Sequence, residues 1–139
     1  MMIGGNDDGA TKKNGGDARH ELGRRGEDIA ACYLESRGWR VRGRRERWGG
    51  VEIDLVVERP GEIALVEVKT RVGGRYGGPE GAITPGKQLR LRQAVYARAA
   101  REPAGRRRRV RADVVAITFP PVGQIGPARL RHYPAAIEE

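Results

Sequence analysis

Cysteine is all but missing from this sequence: Cys32 stands alone among 139 residues. A single thiol cannot close an internal disulfide, which fits a reducing compartment. It lies in an apolar helical run, so it is expected to be a small buried hydrophobe rather than a nucleophile. Histidine is nearly as scarce, with only His20 and His132. A zinc site of the usual Cys/His kind therefore cannot be assembled. Any metal would be a hard cation held by carboxylates. Aromatic residues make up 5% of the chain, so the core must be built from Val, Ile, Leu and Ala. No apolar run approaches the ~20 residues of a membrane helix. The first twenty residues lack the apolar stretch of a signal peptide. The expectation is a cytoplasmic chain with no membrane partner.

Lysine is short as well: 4 residues against 23 arginines, with a net charge of +9. Arginine presents a rigid fork that matches phosphate bidentately, whereas lysine is a point charge. An evenly solvated surface from an arginine-rich genome would look the same, but the balance favours an anionic partner, nucleic acid first.

The chain is of single-domain size. Residues 1–20 are rich in Gly, Asp and Asn and show no apolar period, so they read as a disordered tail ahead of one domain over 21–139. The tail's charges cancel, Lys12, Lys13 and Arg19 against Asp7, Asp8 and Asp17. The excess charge therefore belongs to the folded part. Leu22 to Ser36 carries apolar residues at steps of three and four and predicts a helix. Trp39 to Arg42 predicts a short strand, followed by a basic connection over 43–50. Val51 to Glu58 alternates, with Val51, Ile53, Leu55 and Val57 on one face. Pro60-Gly61 marks a turn, and Ile63 to Arg71 is the next strand. Five glycines in 73–83 predict a mobile loop. Thr84-Pro85 is a helix start, hydroxyl N-cap then Pro, for a helix to about Arg101. Val110 to Phe119 is a strongly apolar strand, and Ala128 to Tyr133 a weak last one. The order α-β-β-β-α-β-β predicts an α/β fold with a central mixed sheet flanked by helices.

The hairpin over 51–71 carries the chemistry. A turn centred on Pro60-Gly61 sets Asp54 opposite Glu67, on one face, with Cβ atoms about 5 Å apart. Lys69 joins that face two residues on, and Glu52 could join it too. A solvated cross-strand ion pair is the plain reading of such a set. The strand is otherwise apolar enough to be buried on both sides, and buried charges persist when they are paired or hold a metal. Asp54 and Glu67, with the backbone carbonyl of Val68, suit a Mg²⁺ ion, or Mn²⁺ in its place. Lys69 would orient or deprotonate a water, or neutralise charge developing on a phosphorane. The reaction this set suits is phosphodiester hydrolysis.

The spacing Asp54…Glu67-Val68-Lys69 resembles the PD-(D/E)xK nuclease motif. Further segments resemble the YraN-like family of predicted bacterial endonucleases. They are Gly26-Glu27 with Ala30-Ala31, Glu52-Ile53-Asp54-Leu55, Val66-Glu67-Val68-Lys69-Thr70-Arg71, Lys87, and Asp113-Val114-Val115-Ala116-Ile117. The resemblance implies the restriction-endonuclease-like fold and a catalytic site at Asp54, Glu67 and Lys69. Similarity to archaeal Holliday junction resolvases adds Glu27, the glutamate of the first helix. Glu27 shares a helix face with Ala30, Ala31 and Leu34, so it can approach the sheet. A glutamate favoured there by the helix dipole is the other reading.

Lys87 falls in the first turn of a helix, where the dipole disfavours a cation. Either a phosphate contact or simple solvation accounts for it. Asp113 reads as structural and His132 as a rim residue. Arg106 to Arg109 form a run of like charges that an anion would relieve. With Arg44, Arg45, Arg47, Arg71 and Lys87, they are the candidate nucleic-acid contacts. The expectation is a Mg²⁺-dependent endonuclease acting on branched or structured DNA, with a symmetric dimer as one possibility. A non-catalytic nucleic-acid-binding module on the same fold is the alternative. A basic partner for an acidic protein is a third reading.

Overall fold

A computed structural model describes residues 7–73 and 83–139, with side chains from residue 16 onward. Helix α1 (Asp7–Ser36) leads into strands β1 (Arg40–Trp48), β2 (Val51–Arg59) and β3 (Glu62–Val72). Helix α2 (Pro85–Ala99) then crosses to β4 (Arg109–Phe119), and β5 (Arg129–Glu138) ends the chain. The five strands form one sheet in the order β1-β2-β3-β4-β5. β3 and β4 are parallel and all other neighbours antiparallel, so the sheet is mixed, as expected. The parallel pair needs a crossover, and α2 supplies it. This α/β arrangement is the expected one and fits the restriction-endonuclease-like class. Among the described residues no helix is long and apolar enough to cross a membrane.

Each helix covers one sheet face. Ala30, Ala31 and Leu34 of α1 pack on Leu55, Val57, Ala64, Val66, Val115 and Ile117. Leu91, Ala94, Val95 and Ala99 of α2 pack on Ile53, Val56, Ile63, Leu65, Val110, Ala112 and Val114. The core is aliphatic, as the shortage of aromatics requires. The start of α2 is the one its sequence announces: Thr84 Oγ1 accepts the Lys87 amide at 3.2 Å, with Pro85 in the first turn.

Several boundaries differ from the expectation. β1 runs on to Trp48 through residues read as a connection, and a two-residue Gly49-Gly50 turn joins it to β2. Both glycines have positive φ, 60° and 77°, the backbone of the tight hairpin turn that matches strand twist. Helix α1 begins at Asp7, ahead of the Leu22 start that the apolar period marks. Once Ala30 to Leu34 are packed, further turns need only propagation, which lacks the cost of nucleation. The periodic signal marks the buried part of such a helix and not its free end. Residues 1–6, and the glycine-rich loop except its two ends, lie outside the described residues. Cys32 is exposed, against the expected burial. It sits on the outer face of α1, while Ala30, Ala31 and Leu34 face the sheet.

β5 also runs five residues past its expected end, and its register on β4 shifts between Ala112 and Val114. Asp113 explains the shift. This fully buried carboxylate accepts the amide of Ala135 at 2.9 Å, where the backbone has φ 50°. It also meets His132 Nε2 at 2.7 Å and Arg111 Nε at 3.0 Å. Burial would raise its pKa, but His132, the Ala135 amide and Arg111 outweigh burial and lower it. Asp113 is thus structural, as the sequence suggested.

Candidate metal and nucleic-acid site

The β2–β3 ladder begins at the Pro60-Gly61 turn and holds the anticipated register, from Arg59↔Glu62 to Leu55↔Val66. It stops there, and the strands fork. The Val68 amide, which a longer ladder would have paired, donates instead to Asp54 Oδ2 at 2.7 Å. The fork is where the candidate residues gather.

The two carboxylates do not share a sheet face as the register argument assumed. Ile53 packs in the cluster under α2, and Leu55 in the cluster under α1, although they are two residues apart. Alternation along β2 therefore inverts at Asp54. On the neighbouring strand the ladder passes from Arg44↔Leu55 to Glu46↔Ile53, and the Arg45 between them has φ 53°. The ladder keeps its register across the inversion, and its irregularity lies further along, between Val41 and Gly43. Asp54 lines a cleft of about 310 Å³ beneath α1, with Glu27, Arg45, Val68 and Thr70. Glu67 lines a cleft of about 530 Å³ beside α2, with Glu52, Lys87, Arg47 and Arg90. β3 keeps its alternation, so Lys69 shares the Glu67 face and is half-buried.

Gly26 brings Glu27 into the site. A Cβ on Gly26 would lie 2.3 Å from Thr70 Oγ1, so only glycine lets α1 approach β3 this closely. Glu27 is 6% exposed, which settles its orientation as inward. Arg45 Nη2 donates to Glu27 Oε2 at 2.6 Å. Across the fork, Lys87 Nζ meets Glu67 Oε1 at 2.7 Å. The helix-start lysine thus has an anion beside it within the protein itself.

Asp54 feels this crowding. Burial pushes its pKa up to about 7, and the Glu67 and Glu27 charges push the same way. The Val68 amide and Lys87 oppose them without cancelling them. Among the described residues no three His, Cys, Asp or Glu side chains stand close enough together to hold a metal. The site's fit to a hard divalent cation lies in its donors and its charge. Its groups are carboxylates and a backbone carbonyl, all oxygen, and mutual repulsion among the acids is what a cation relieves.

The remaining candidates divide. Arg47 lines the cleft beside α2, and Arg44 pairs with the exposed Asp28 at 2.7 Å. Arg71 follows Lys69 on β3, two residues further from the turn. Arg106 to Arg109 lie at the opposite end of the sheet, where the Arg109 amide donates to Gly61 O. There Arg107 pairs with Glu139, Arg108 with Glu102 and Glu58, and Arg109 with Glu138. Arg107 to Arg109 thus find their anions inside the chain, and the run does not flank the site. Sequence reasoning missed Arg19, His20, Arg24 and Thr70 in the first cleft and Arg90 in the second. His20, Gly23, Arg24 and Glu27 follow one helix face at steps of three and four. That face lies partly ahead of Leu22, where the apolar period that marks the helix begins.

The model of the uncharacterised protein family UPF0102 matches residues 26–117, from the close-packed Gly26 into β4. A UPF0102 protein of Anaeromyxobacter dehalogenans is 42% identical over 124 residues, covering 88% of each chain. One from Clavibacter michiganensis is 46% identical over 104 residues, 75% of this chain and 87% of its own. One from Geobacter metallireducens is 38% identical over 121 residues, 84% of this chain and 92% of its own. The chain therefore belongs to the UPF0102 family, which is the YraN-like family its motifs resemble.

Proposed function

We propose that this chain is a divalent-metal-dependent DNA endonuclease whose site is the fork between β2 and β3. The observation that carries the reading is Asp54. It is a half-buried carboxyl that accepts the Val68 amide in an arginine-lined cleft, with Glu27 and Glu67 near enough to add to the desolvation that raises it to about 7. Structural ion pairs lower carboxyl pKa values, whereas sites built for chemistry gather groups that perturb one another. Asp54 and Glu67, with the Val68 carbonyl, would hold Mg²⁺ or Mn²⁺. The ion would supply Lewis-acid polarisation of a phosphoryl oxygen and a more acidic bound water.

The chain's own residues supply the rest. Lys69, on the face of Glu67, would orient the attacking water or neutralise charge gathering on the phosphorus oxygens. Arg24 and Arg45 on one side, and Arg47 and Arg90 on the other, would hold backbone phosphates. Contacts of this kind position DNA without reading its bases. That suits a substrate known by shape, such as branched DNA. A cytoplasmic location follows from the DNA substrate, and cutting two strands suits a symmetric pair of sites.

The second reading is a module that binds DNA without cutting it. It is favoured by the engagement of Glu27 by Arg45 and of Glu67 by Lys87. Incubation with supercoiled plasmid and synthetic junctions in Mg²⁺, Mn²⁺ or EDTA separates the two. The nuclease reading expects cleavage in both metals and none in EDTA. Binding with no cleavage in either metal would leave the module.

A further inference from the structure

We propose that the turn between β4 and β5 is an apolar wedge that opens DNA at a branch point, with the unstacked base taken into the cleft beside it. This role rests on the DNA nuclease reading above and narrows its substrate to DNA whose pairing is already broken.

Two side chains carry it. Val122 is 91% exposed and Ile125 105%, more than any other large hydrophobic among the described residues. Neither sits on a loose segment. The Gln124 amide donates to Pro121 O at 2.9 Å, closing a turn whose third residue, Gly123, has φ 84°. Pro120, Pro121 and Pro127 fix the backbone on both sides. Gly73, just past β3, donates its amide to Phe119 O at 2.6 Å. A Cβ on Gly73 would lie 3.0 Å from that oxygen and 3.2 Å from Pro121 Cδ, so the turn is seated closely against the end of β3. Single exposed apolar residues are ordinary. Two β-branched ones, stiff at χ1 and held out on a fixed turn, make a tool.

The turn stands at the fork end of the sheet. Phe119 pairs with Val72, three residues along β3 from Lys69, or about 10 Å. Helix α1 joins the two places. Its Arg24 and Glu27 line the cleft of Asp54. Its Leu22, Arg25 and Ile29 line a further cleft, of about 450 Å³, together with Val72, Phe119 and Val122. Arg25 lies over the Phe119 ring, 5.3 Å from its centroid. Ile125 lines a neighbouring cleft with Arg129. Among the described residues no acid lines either of these two clefts. Apolar walls with a cation and no acid suit a group with apolar faces and a negative charge attached, which describes a nucleobase and its phosphate. Apolar side chains inserted at a base step must pay for unstacking, and that cost is least where pairing is already lost. The wedge therefore favours a junction over an intact duplex.

Binding in EDTA tests this without cleavage. A synthetic three-way junction and a duplex of the same sequence carry 2-aminopurine, which brightens when it unstacks, at the branch point or the matching position. Wild type is expected to bind the junction several-fold more tightly than the duplex and to brighten the probe in the junction. Val122→Ser with Ile125→Ser should lose both the preference and the brightening, and keep the duplex affinity and the melting temperature, since both side chains are exposed. Ile125→Leu should keep the wild-type behaviour.

A double variant that retains the junction preference and the brightening would overturn the wedge. So would one that weakens junction and duplex equally, since the turn would then be an ordinary contact. A dimer in sedimentation without DNA that the double variant dissolves would also overturn it, and give the patch to a second copy of this chain. If wild type binds both DNAs equally and leaves the probe dark, the wedge falls and DNA binding stands. If wild type binds neither, the nuclease reading falls together with it.

Discussion

The two ends of the β2–β3 hairpin hold the same kinds of side chain in opposite electrostatic states. At the turn end, acids and arginines alternate in space. Glu102 is engaged by Arg108 and Arg98, and Glu58 by Arg40, Arg42 and Arg108. Hydrogen bonds from Arg108, against some burial, and then from Arg98 bring the Glu102 pKa down to about 2. Burial acts upward on Glu58 as well, but three arginines outweigh it and lower its pKa. At the fork Glu27 and Glu67 are paired with Arg45 and Lys87, yet Asp54, with both acids near it, goes the other way, to about 7. A structural network brings opposite charges together until each is satisfied. A site for a cation or a reaction keeps like charges together at a cost in stability. Basic composition alone does not separate the two ends, because the densest arginine run lies at the satisfied one.

Substitutions at the two ends should part activity from stability. The largest expected effect is at the fork. Glu67→Gln removes a metal-binding charge at nearly constant shape and should lower cleavage on the order of 10³-fold, with Lys69→Ala costing roughly 10²-fold. Steady-state cleavage of plasmid by protein of unchanged melting temperature checks this. Next comes the turn end. The Glu102 side chain is 1% exposed and Arg98 7%. Glu102→Ala leaves a buried guanidinium unpaired and should cost about 3 kcal/mol in denaturant unfolding. Cleavage per folded molecule should stay unchanged.

A smaller effect, with opposite signs at the two ends, appears against pH. Asp54 has a folded pKa above its unfolded value, so the folded state binds the extra proton between about pH 4 and 7. Its contribution to stability is fully present below about pH 4 and is lost as pH rises through 7. Glu102 has a folded pKa below its unfolded value. Its contribution is present above about 4.5 and is lost as pH falls toward 2. Asp54→Asn should therefore gain about 2 kcal/mol on wild type between pH 5 and pH 8. Glu102→Gln should leave that interval flat and change the acid limb. Unfolding curves at pH 3, 5 and 8 read both. The smallest effect is at the arginine run. Arg107→Ser and Arg109→Ser break exposed ion pairs with Glu139 and Glu138. They should change stability by no more than about 0.5 kcal/mol and leave the salt slope of DNA binding unchanged. A slope shallower by one unit for each arginine would move the DNA to the wrong end of the sheet.

The sequence made some features legible and concealed others for physical reasons. The register of 55–59 with 62–66 was readable because a tight turn and strand alternation are both local. The position of Asp54 was not. Alternation inverts there, opposite an Arg45 with φ 53° on the neighbouring strand, and no pattern within β2 reports it. The inward face of Glu27 was half legible from its apolar helix neighbours. What decides it is the contact of Gly26 with Thr70, 44 residues away in sequence. The arginine run misled for a related reason. Its anions, Glu102, Glu58, Glu138 and Glu139, come from three separate stretches of the chain. Charge clusters in sequence show where cations are, and only the fold shows which acids already hold them.

The central claim is that the fork, and not the satisfied network at the turn, is the working site. A plasmid-nicking assay in Mg²⁺ on three proteins tests it most directly: wild type, Asp54→Asn and Glu102→Gln, each confirmed folded. The account predicts nicking by wild type and by Glu102→Gln, and none by Asp54→Asn. Nicking by Asp54→Asn at the wild-type rate would contradict it.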